Sequence, residues 1–293
     1  MTLRIFSIVS FFLLTAVLSG TARPETILHS ERSLYRDIIV FDNFNERCMR
    51  FTHRNIAQQS CLNLNDPNLL VFNCSKMLMG AFYLKPTPNK VLVIGLGGGS
   101  LPSAIQRILH NTDIDIVEID PAVVRVAKKY FKFEPTPRVH ITEEDGRVFV
   151  KKAIKKKKKY DMIILDAFDG NYIPRHMLTR QFLTEVKMIL APDGVVAANT
   201  FATSPTYDNE SVTYESVFGG FYNLKKYFSN SRIILVKNDG MISSKMLKKN
   251  AEILEERFQG LGIESSWLLP LFSVDQDWST DVKMLTDQFS PII

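Results

Sequence analysis

The run Lys90-Val91-Leu92-Val93-Ile94-Gly95-Leu96-Gly97-Gly98-Gly99-Ser100 decides how this chain folds. Val91 to Ile94 is unbroken apolar sequence, as a parallel strand buried on both faces requires. Four glycines follow within five residues. Leu101, Ala104, Ile105, Ile108 and Leu109 then fall on one face of a helix. Strand, glycine turn and helix N-terminus together present backbone N–H groups to a nucleotide-like ligand. Gly95 and Gly97 are read as the tight turn and the close backbone approach. Ser100 stands where a third small residue is expected and can cap the helix.

The same alternation continues downstream. Strands are expected at Ile114–Ile119, Val139–Thr142, Met162–Leu165, Val195–Asn199 and Arg232–Val236. Helices are expected from Pro121, from Arg147 into a lysine run, around Leu178–Ile189, at Ser211–Phe228 and at Lys245–Gly260. Ala191-Pro192-Asp193-Gly194 reads as a turn. This order predicts a doubly wound, mostly parallel α/β sheet.

Upstream, Tyr35–Phe41, Cys48–Thr52 and Leu69–Phe72 read as short strands of a small antiparallel unit, and Lys76–Leu84 as a helix. Lys85-Pro86-Thr87-Pro88-Asn89 reads as the boundary between the two parts. Arg4, an apolar run from Ile5 to Leu18 and Ser19-Gly20-Thr21-Ala22 describe a secretory signal peptide. The expected organisation is therefore a signal peptide at 1–22, a β domain at 23–85 and an α/β domain at 86–293. A secreted or lumenal location follows, with no integral membrane span after signal removal. Asn73-Cys74-Ser75 and Asn209-Glu210-Ser211 are then glycosylation candidates.

The net charge of +5 is concentrated at Lys151, Lys152 and Lys155 to Lys159. This is a solvated helix face, not a nucleic-acid-binding composition. Cys48, Cys61 and Cys74 form an odd set, so at least one thiol lacks an intramolecular partner. No CxxC or clustered histidine accompanies them, so no metal site is expected.

In an open parallel sheet, ligands bind outside the carboxyl ends of the strands. Four successive strand ends here carry Gly95 to Ser100, Glu118, Asp145-Gly146 and Asp166 to Asp169. Glu118 is placed to accept from ribose hydroxyls and Asp145 from an adenine amino group. Asp166 lies at the reacting end, where a carboxylate can orient or deprotonate an amine or offset a sulfonium charge. His176 in the following loop can relay a proton. Dinucleotide binding is the rival reading, but it leaves Asp145-Gly146 and the preceding β unit unused.

From about Ser33 onward the chain resembles the spermidine synthase-like family of polyamine aminopropyltransferases and their methyltransferase-like relatives. The matching stretches are Ser33 to Val40, Val117-Glu118-Ile119-Asp120, Asp145-Gly146 and Tyr160 to Asp166. The resemblance implies a Rossmann-like, class I methyltransferase fold with a small N-terminal β domain. It implies S-adenosylmethionine, or its decarboxylated form, over Gly95, Gly97, Gly98, Gly99 and Ser100, with Glu118, Asp145 and Gly146. Asp166 takes the catalytic-acid position and Asp169 a second acidic position. The partner is a small-molecule or protein amine acceptor, and the resemblance suggests a homodimer.

Two departures tilt the reading toward the methyltransferase-like branch. Gly98 stands where aminopropyltransferases carry an aspartate. Cys74-Ser75-Lys76-Met77 replaces their polyamine-gripping stretch, and Lys76 there is expected to repel a cationic acceptor. Gly95 to Pro102, Asp166 to Gly170 and Leu285 to Pro291 are also spelled closer to that branch. Methyl transfer is therefore expected over aminopropyl transfer. A secreted pseudoenzyme that binds without catalysis is the non-enzymatic alternative.

Overall fold

The computed structural model describes residues 25–53, 57–168, 172–226 and 229–289. The expected signal peptide at 1–22 and Asp169 lie outside the described residues. Two sheets are present. The first is four-stranded and antiparallel, in the order β1 (Thr26–Arg32), β2 (Asp37–Asn43), β3 (Glu46–Arg50) and β4 (Ser60–Asn63). Ile38, Val40, Met49 and Leu62 bury one face of it against Val123 and Val126.

The second sheet carries β5 (Lys90–Ile94), β6 (Asp113–Glu118), β7 (Val139–Glu143), β8 (Tyr160–Leu165) and β9 (Leu190–Phe201) as parallel neighbours. Two further strands, β10 (Tyr222–Lys225) and β11 (Ser231–Lys237), close one edge antiparallel. Its order is β10-β11-β9-β8-β5-β6-β7. Chain order reverses at β5, so the crevice of this fold class opens at its carboxyl end. Val91 and Val93 of β5 enter one core, Leu92 and Ile94 the other. That is why the strand is apolar at every position rather than at alternate ones.

Helices cover both faces: α1 (Asn73–Leu78), α2 (Ala81–Leu84), α3 (Ser100–Ile108), α4 (Pro121–Tyr130), α5 (Gly146–Lys155), α6 (Arg180–Ile189), α7 (Tyr207–Phe218), α8 (Ser244–Gln259) and α9 (Ser265–Leu268). Asp120, Asp145, Thr179 and Ser243 cap α4, α5, α6 and α8 with side-chain acceptors. None of the described helices is long and apolar enough to cross a membrane.

Several expected elements differ. Leu69–Phe72 is not a strand. Leu70 makes one bridge to Leu62, but its N–H donates to Leu261 O, so no ladder extends. The helix expected over Lys76–Leu84 is two short ones, α1 and α2, both packed into the core of the larger sheet. The Ala191–Gly194 turn is absorbed as an irregularity within β9, where the pairing jumps from Tyr160↔Leu190 to Met162↔Val195. The helix expected to reach Phe228 stops at Phe218. Gly219, with φ of +79°, ends it, and buried Tyr222 and Leu224 turn the chain into β10.

Cys48 and Cys61 face each other across β3 and β4 and form a disulfide, leaving Cys74 as a thiol. Glu46 lies beside them, but the joined sulfurs offer no thiolate to a metal. The bridge spans 13 residues. Reduction, or the Cys48→Ser/Cys61→Ser pair, is expected to lower unfolding free energy by about 3 kcal/mol. Urea unfolding with and without reductant checks this. An unchanged midpoint would remove the bridge from the stability of the small sheet.

The chain after α9 wraps back over the larger sheet. Trp278 stacks on Phe221 at 4.9 Å, and Leu285 is buried. The Leu285 N–H donates to Thr213 Oγ1, and its carbonyl accepts from Arg180 N–H.

Candidate active site

The carboxyl ends of β5, β6, β7, β8 and β9 converge on one cleft of about 390 Å³. Gly95, Gly97, Ser100, Glu118, Asp145, Gly146 and Asp166 all line it. Gly98 and Gly99 do not line it. They turn toward Phe131 and Phe133, whose rings a Cβ at either position would strike. Ser100 is not a cap: Gly99 holds that position, and the Ser100 hydroxyl faces the Cys61 carbonyl at 3.5 Å. The glycine run therefore divides its work, with part of it facing the ligand space and part packing helices.

The opposite wall comes from the small sheet. Tyr35, Arg36, Phe51, Ser60 and Cys61 face the strand ends. Arg36 spans the gap: Nη1 donates to Phe168 O at 2.9 Å, Nε lies 3.9 Å from Asp120 Oδ2, and the guanidinium lies over the Phe51 ring. Ser33 Oγ also donates to Asp120, at 2.5 Å. The small sheet thus closes the cleft as a wall anchored by charge and hydrogen bonds.

Each carboxylate has a distinct environment. Glu118 is buried, and its two oxygens accept from Leu96 N–H at 3.0 Å and Asp120 N–H at 3.1 Å. Burial raises its pKa against those two bonds. Such a carboxylate is fixed in direction and retains lone pairs for the hydroxyls of a ribose. Asp145 Oδ1 accepts from Val148 N–H as the cap of α5, while Oδ2 meets His176 Nε2 at 2.9 Å. The His176 bond is the main cause that holds its pKa low. Asp145 is therefore already committed to a cap and to an imidazole. The expected contact to an adenine amino group has to be shared with His176.

Asp166 follows β8. Its backbone N–H donates to Ile94 O, and Oδ1 accepts from Asn199 Nδ2 at 2.8 Å. Burial pushes its pKa up to about 6, opposed by the Asn199 bond. A carboxyl poised near neutrality is suited to take a proton from a reacting amine. Cys74 lies at the same end of the cleft, and burial, then the Asp166 charge, raises its thiol to about 11. It stays a neutral thiol rather than a nucleophile.

Lys76 is not among the residues lining the cleft. Its Nζ lies 3.5 Å from where a Cβ of Gly262 would stand, and the Lys226 charge acts on it. Lys76 therefore does not itself face the cleft. The sequence reading does not single out Asn199, although it directly follows Ala198, where the parallel pairing of β9 with β8 ends, and the strand-end rule extends to it. Arg36 carried no such signal, because its role depends on the docking of one sheet against another.

A family model described as "Spermine/spermidine synthase domain" matches residues 72–256. A polyamine aminopropyltransferase of Vibrio vulnificus is 41% identical over 285 residues, covering 96% of this chain and 95% of that protein. The crystal structure of spermidine synthase from Thermotoga maritima matches with a TM-score of 0.64 at 21% identity, over 85% of each chain. That of human methyltransferase-like protein 13, solved in complex with SAH, matches with a TM-score of 0.56 at 26% identity, over 64% of this chain and 89% of the other. With its matched domain, its mostly parallel sheet and its small antiparallel sheet, this chain belongs to the spermine/spermidine synthase family.

Proposed function

We propose that the protein transfers an aminopropyl group from decarboxylated S-adenosylmethionine to a small di- or polyamine. The observation that carries this is the charge of the cleft. Glu118, Glu144, Asp145 and Asp166 line it, whereas its guanidinium, Arg36, is bound to Asp120 and to the Phe168 carbonyl. Such a lining favours a cationic donor and a cationic acceptor, and it disfavours the extra carboxylate of a donor that has not been decarboxylated. The whole-length similarity to a polyamine aminopropyltransferase supports the same choice.

A sulfonium donor of this type supplies an alkyl carbon whose leaving group is a neutral thioether. Within the cleft, Glu118 would hold the ribose hydroxyls and the Gly95–Gly97 backbone would lie along the donor. Asp166, oriented by Asn199, would align the acceptor nitrogen and receive the proton released as its lone pair forms the new C–N bond. The electrons of the broken C–S bond stay on sulfur. Phe168 and Phe201, in edge contact at 5.2 Å, wall this end from water. Positioning in a closed site accounts for most of the rate.

Methyl transfer is the second reading, and Gly98 favours it. A Cβ there would stand 2.7 Å from Ser60 Oγ and 2.8 Å from the Phe131 ring, so the loop has no room for an aspartate. Incubation with decarboxylated S-adenosylmethionine and putrescine, followed by mass spectrometry, separates the two. Spermidine and methylthioadenosine are expected. Methylated products formed from S-adenosylmethionine, with no turnover of the decarboxylated donor, would overturn aminopropyl transfer.

A further inference from the structure

We propose that His176 reads the adenine edge of the adenosyl ligand, and that Asp287 of the C-terminal tail holds it there through Arg147. This deepens the adenosyl reading of the cleft and rests on it. His176 follows Pro174 in a 3-10 turn, Arg175–Met177, which buries Met177 under the cleft beside Gly146. The turn brings the imidazole to the cleft rim, where Nε2 meets Asp145 Oδ2 at 2.9 Å. An ionised carboxylate can only accept, so the ring nitrogen facing Asp145 carries a proton, and in the neutral ring Nδ1 is then the acceptor. Asp145 also only accepts, but one of its oxygens caps α5 and the other already accepts from the ring, so the imidazole shares the reading of this edge with it. An acceptor at Nδ1 complements the 6-amino group of adenine and opposes the 6-oxo group of hypoxanthine.

The turn is held from behind by Arg147, the second residue of α5. Its Nη1 donates to the His176 carbonyl at 3.3 Å. Nε and Nη2 donate to both oxygens of Glu185, at 2.8 and 3.0 Å. Nη1 and Nη2 donate to both oxygens of Asp287, at 2.7 and 2.8 Å. Thr179 Oγ1 donates to Asp287 as well, and the Asp287 N–H donates to Gln181 Oε1. Arg147 is buried, with its planar fork saturated by the two carboxylates. The bonds from Arg147, then that from Thr179, pull the Asp287 carboxyl down to about 2. The tail segment spelled Leu285-Thr286-Asp287 thereby fixes the guanidinium that fixes the His176 backbone. Arg147 and Asp287 are positioning residues and touch no ligand space themselves.

The test is calorimetric titration of the full chain with 5′-methylthioadenosine and 5′-methylthioinosine. The unaltered protein is expected to bind the adenine compound at least tenfold more tightly, as one mismatched hydrogen bond implies. His176→Ala should weaken the adenine compound several-fold, leave the inosine compound unchanged and narrow the ratio between them to what Asp145 alone supplies. His176→Gln, which keeps an acceptor oxygen, should restore part of the discrimination. Asp287→Ala should lower adenine affinity while a thermal scan shows a folded chain. Discrimination by His176→Ala equal to that of the unaltered protein would overturn the role of His176. Unchanged affinity in a folded Asp287→Ala protein would overturn the tail's part. If the unaltered protein binds neither nucleoside, the adenosyl reading itself fails.

Discussion

Asp166→Asn is expected to lower kcat by a factor of about 10² to 10⁴, the range for loss of a positioned acid–base group. The same substitution is expected to make the protein more stable at neutral pH. The two effects share one cause. Burial raises the Asp166 carboxyl from 3.8 to about 6, so the folded chain holds that proton more tightly than the unfolded chain does. The stabilising contribution of the protonated form is complete below pH 3.8 and is lost as pH rises through about 6. At pH 7 the buried charge then costs about 3 kcal/mol, the linkage value of a shift of about two units. Asparagine has the same shape, accepts from Asn199 and carries no charge to desolvate. Thermal melts at pH 7 should therefore rise for Asp166→Asn, and at pH 4 the two proteins should melt nearly together. The kcat/KM of the unaltered protein should fall as pH drops through about 6, where the base is protonated. A variant that melts higher but keeps full turnover would take Asp166 out of the chemistry while leaving the burial argument standing. A variant that melts lower would contradict the burial argument.

The central part of this molecule was legible because its signals are local. Val91 to Ile94 is apolar at every position since both faces of β5 are covered, and Pro121 marks a helix start by its chemistry. The strand-end acids were legible because a parallel sheet delivers successive carboxyl ends to one edge. What was not legible depends on contacts between segments far apart in the chain. β1 is mostly polar and exposed, Thr26 to Arg32, and is a strand because β2 offers it an edge. Lys76 is read at the site because Cys74 to Met77 stands where the resembled family grips its polyamine, yet its helix carries the side chain toward Gly262. The tail was legible as a spelling only. Its purpose appears where Asp287 meets Arg147, 140 residues away in the chain.

Gly95 and Gly97 look alike in the sequence, and alanine at each is expected to fail in a different way. Gly95 has φ of +102°, outside even the left-handed region that other residues visit. A Cβ there would stand 2.2 Å from the Asp166 carbonyl oxygen and 2.7 Å from its carbon. Neither group can yield, because the Asp166 N–H is bonded to Ile94 O and the Gly95 N–H to Val117 O. Strained backbone and overpacking together cost on the order of 3–5 kcal/mol. Much of a typical domain's stability is of that size, so Gly95→Ala should give little folded protein, measured by soluble yield and by melting of what is recovered. Gly97 has φ of +55°, and its Cβ would meet Ser60 no closer than 3.6 Å. The structural cost is then about 1–2 kcal/mol, the left-handed penalty alone. Gly97 lines the cleft, however, and an added methyl would occupy space beside Ser60 and Gln59 that the donor needs. Gly97→Ala should therefore fold, lose only a few degrees in melting temperature and bind the adenosyl ligand at least tenfold more weakly. Were Gly95→Ala to fold normally, the turn would not depend on glycine at the point where β5 meets β8. Were Gly97→Ala to bind as tightly as the unaltered protein, the donor would not run along this part of the loop. The two results together test which of these glycines serves the sheet and which serves the ligand.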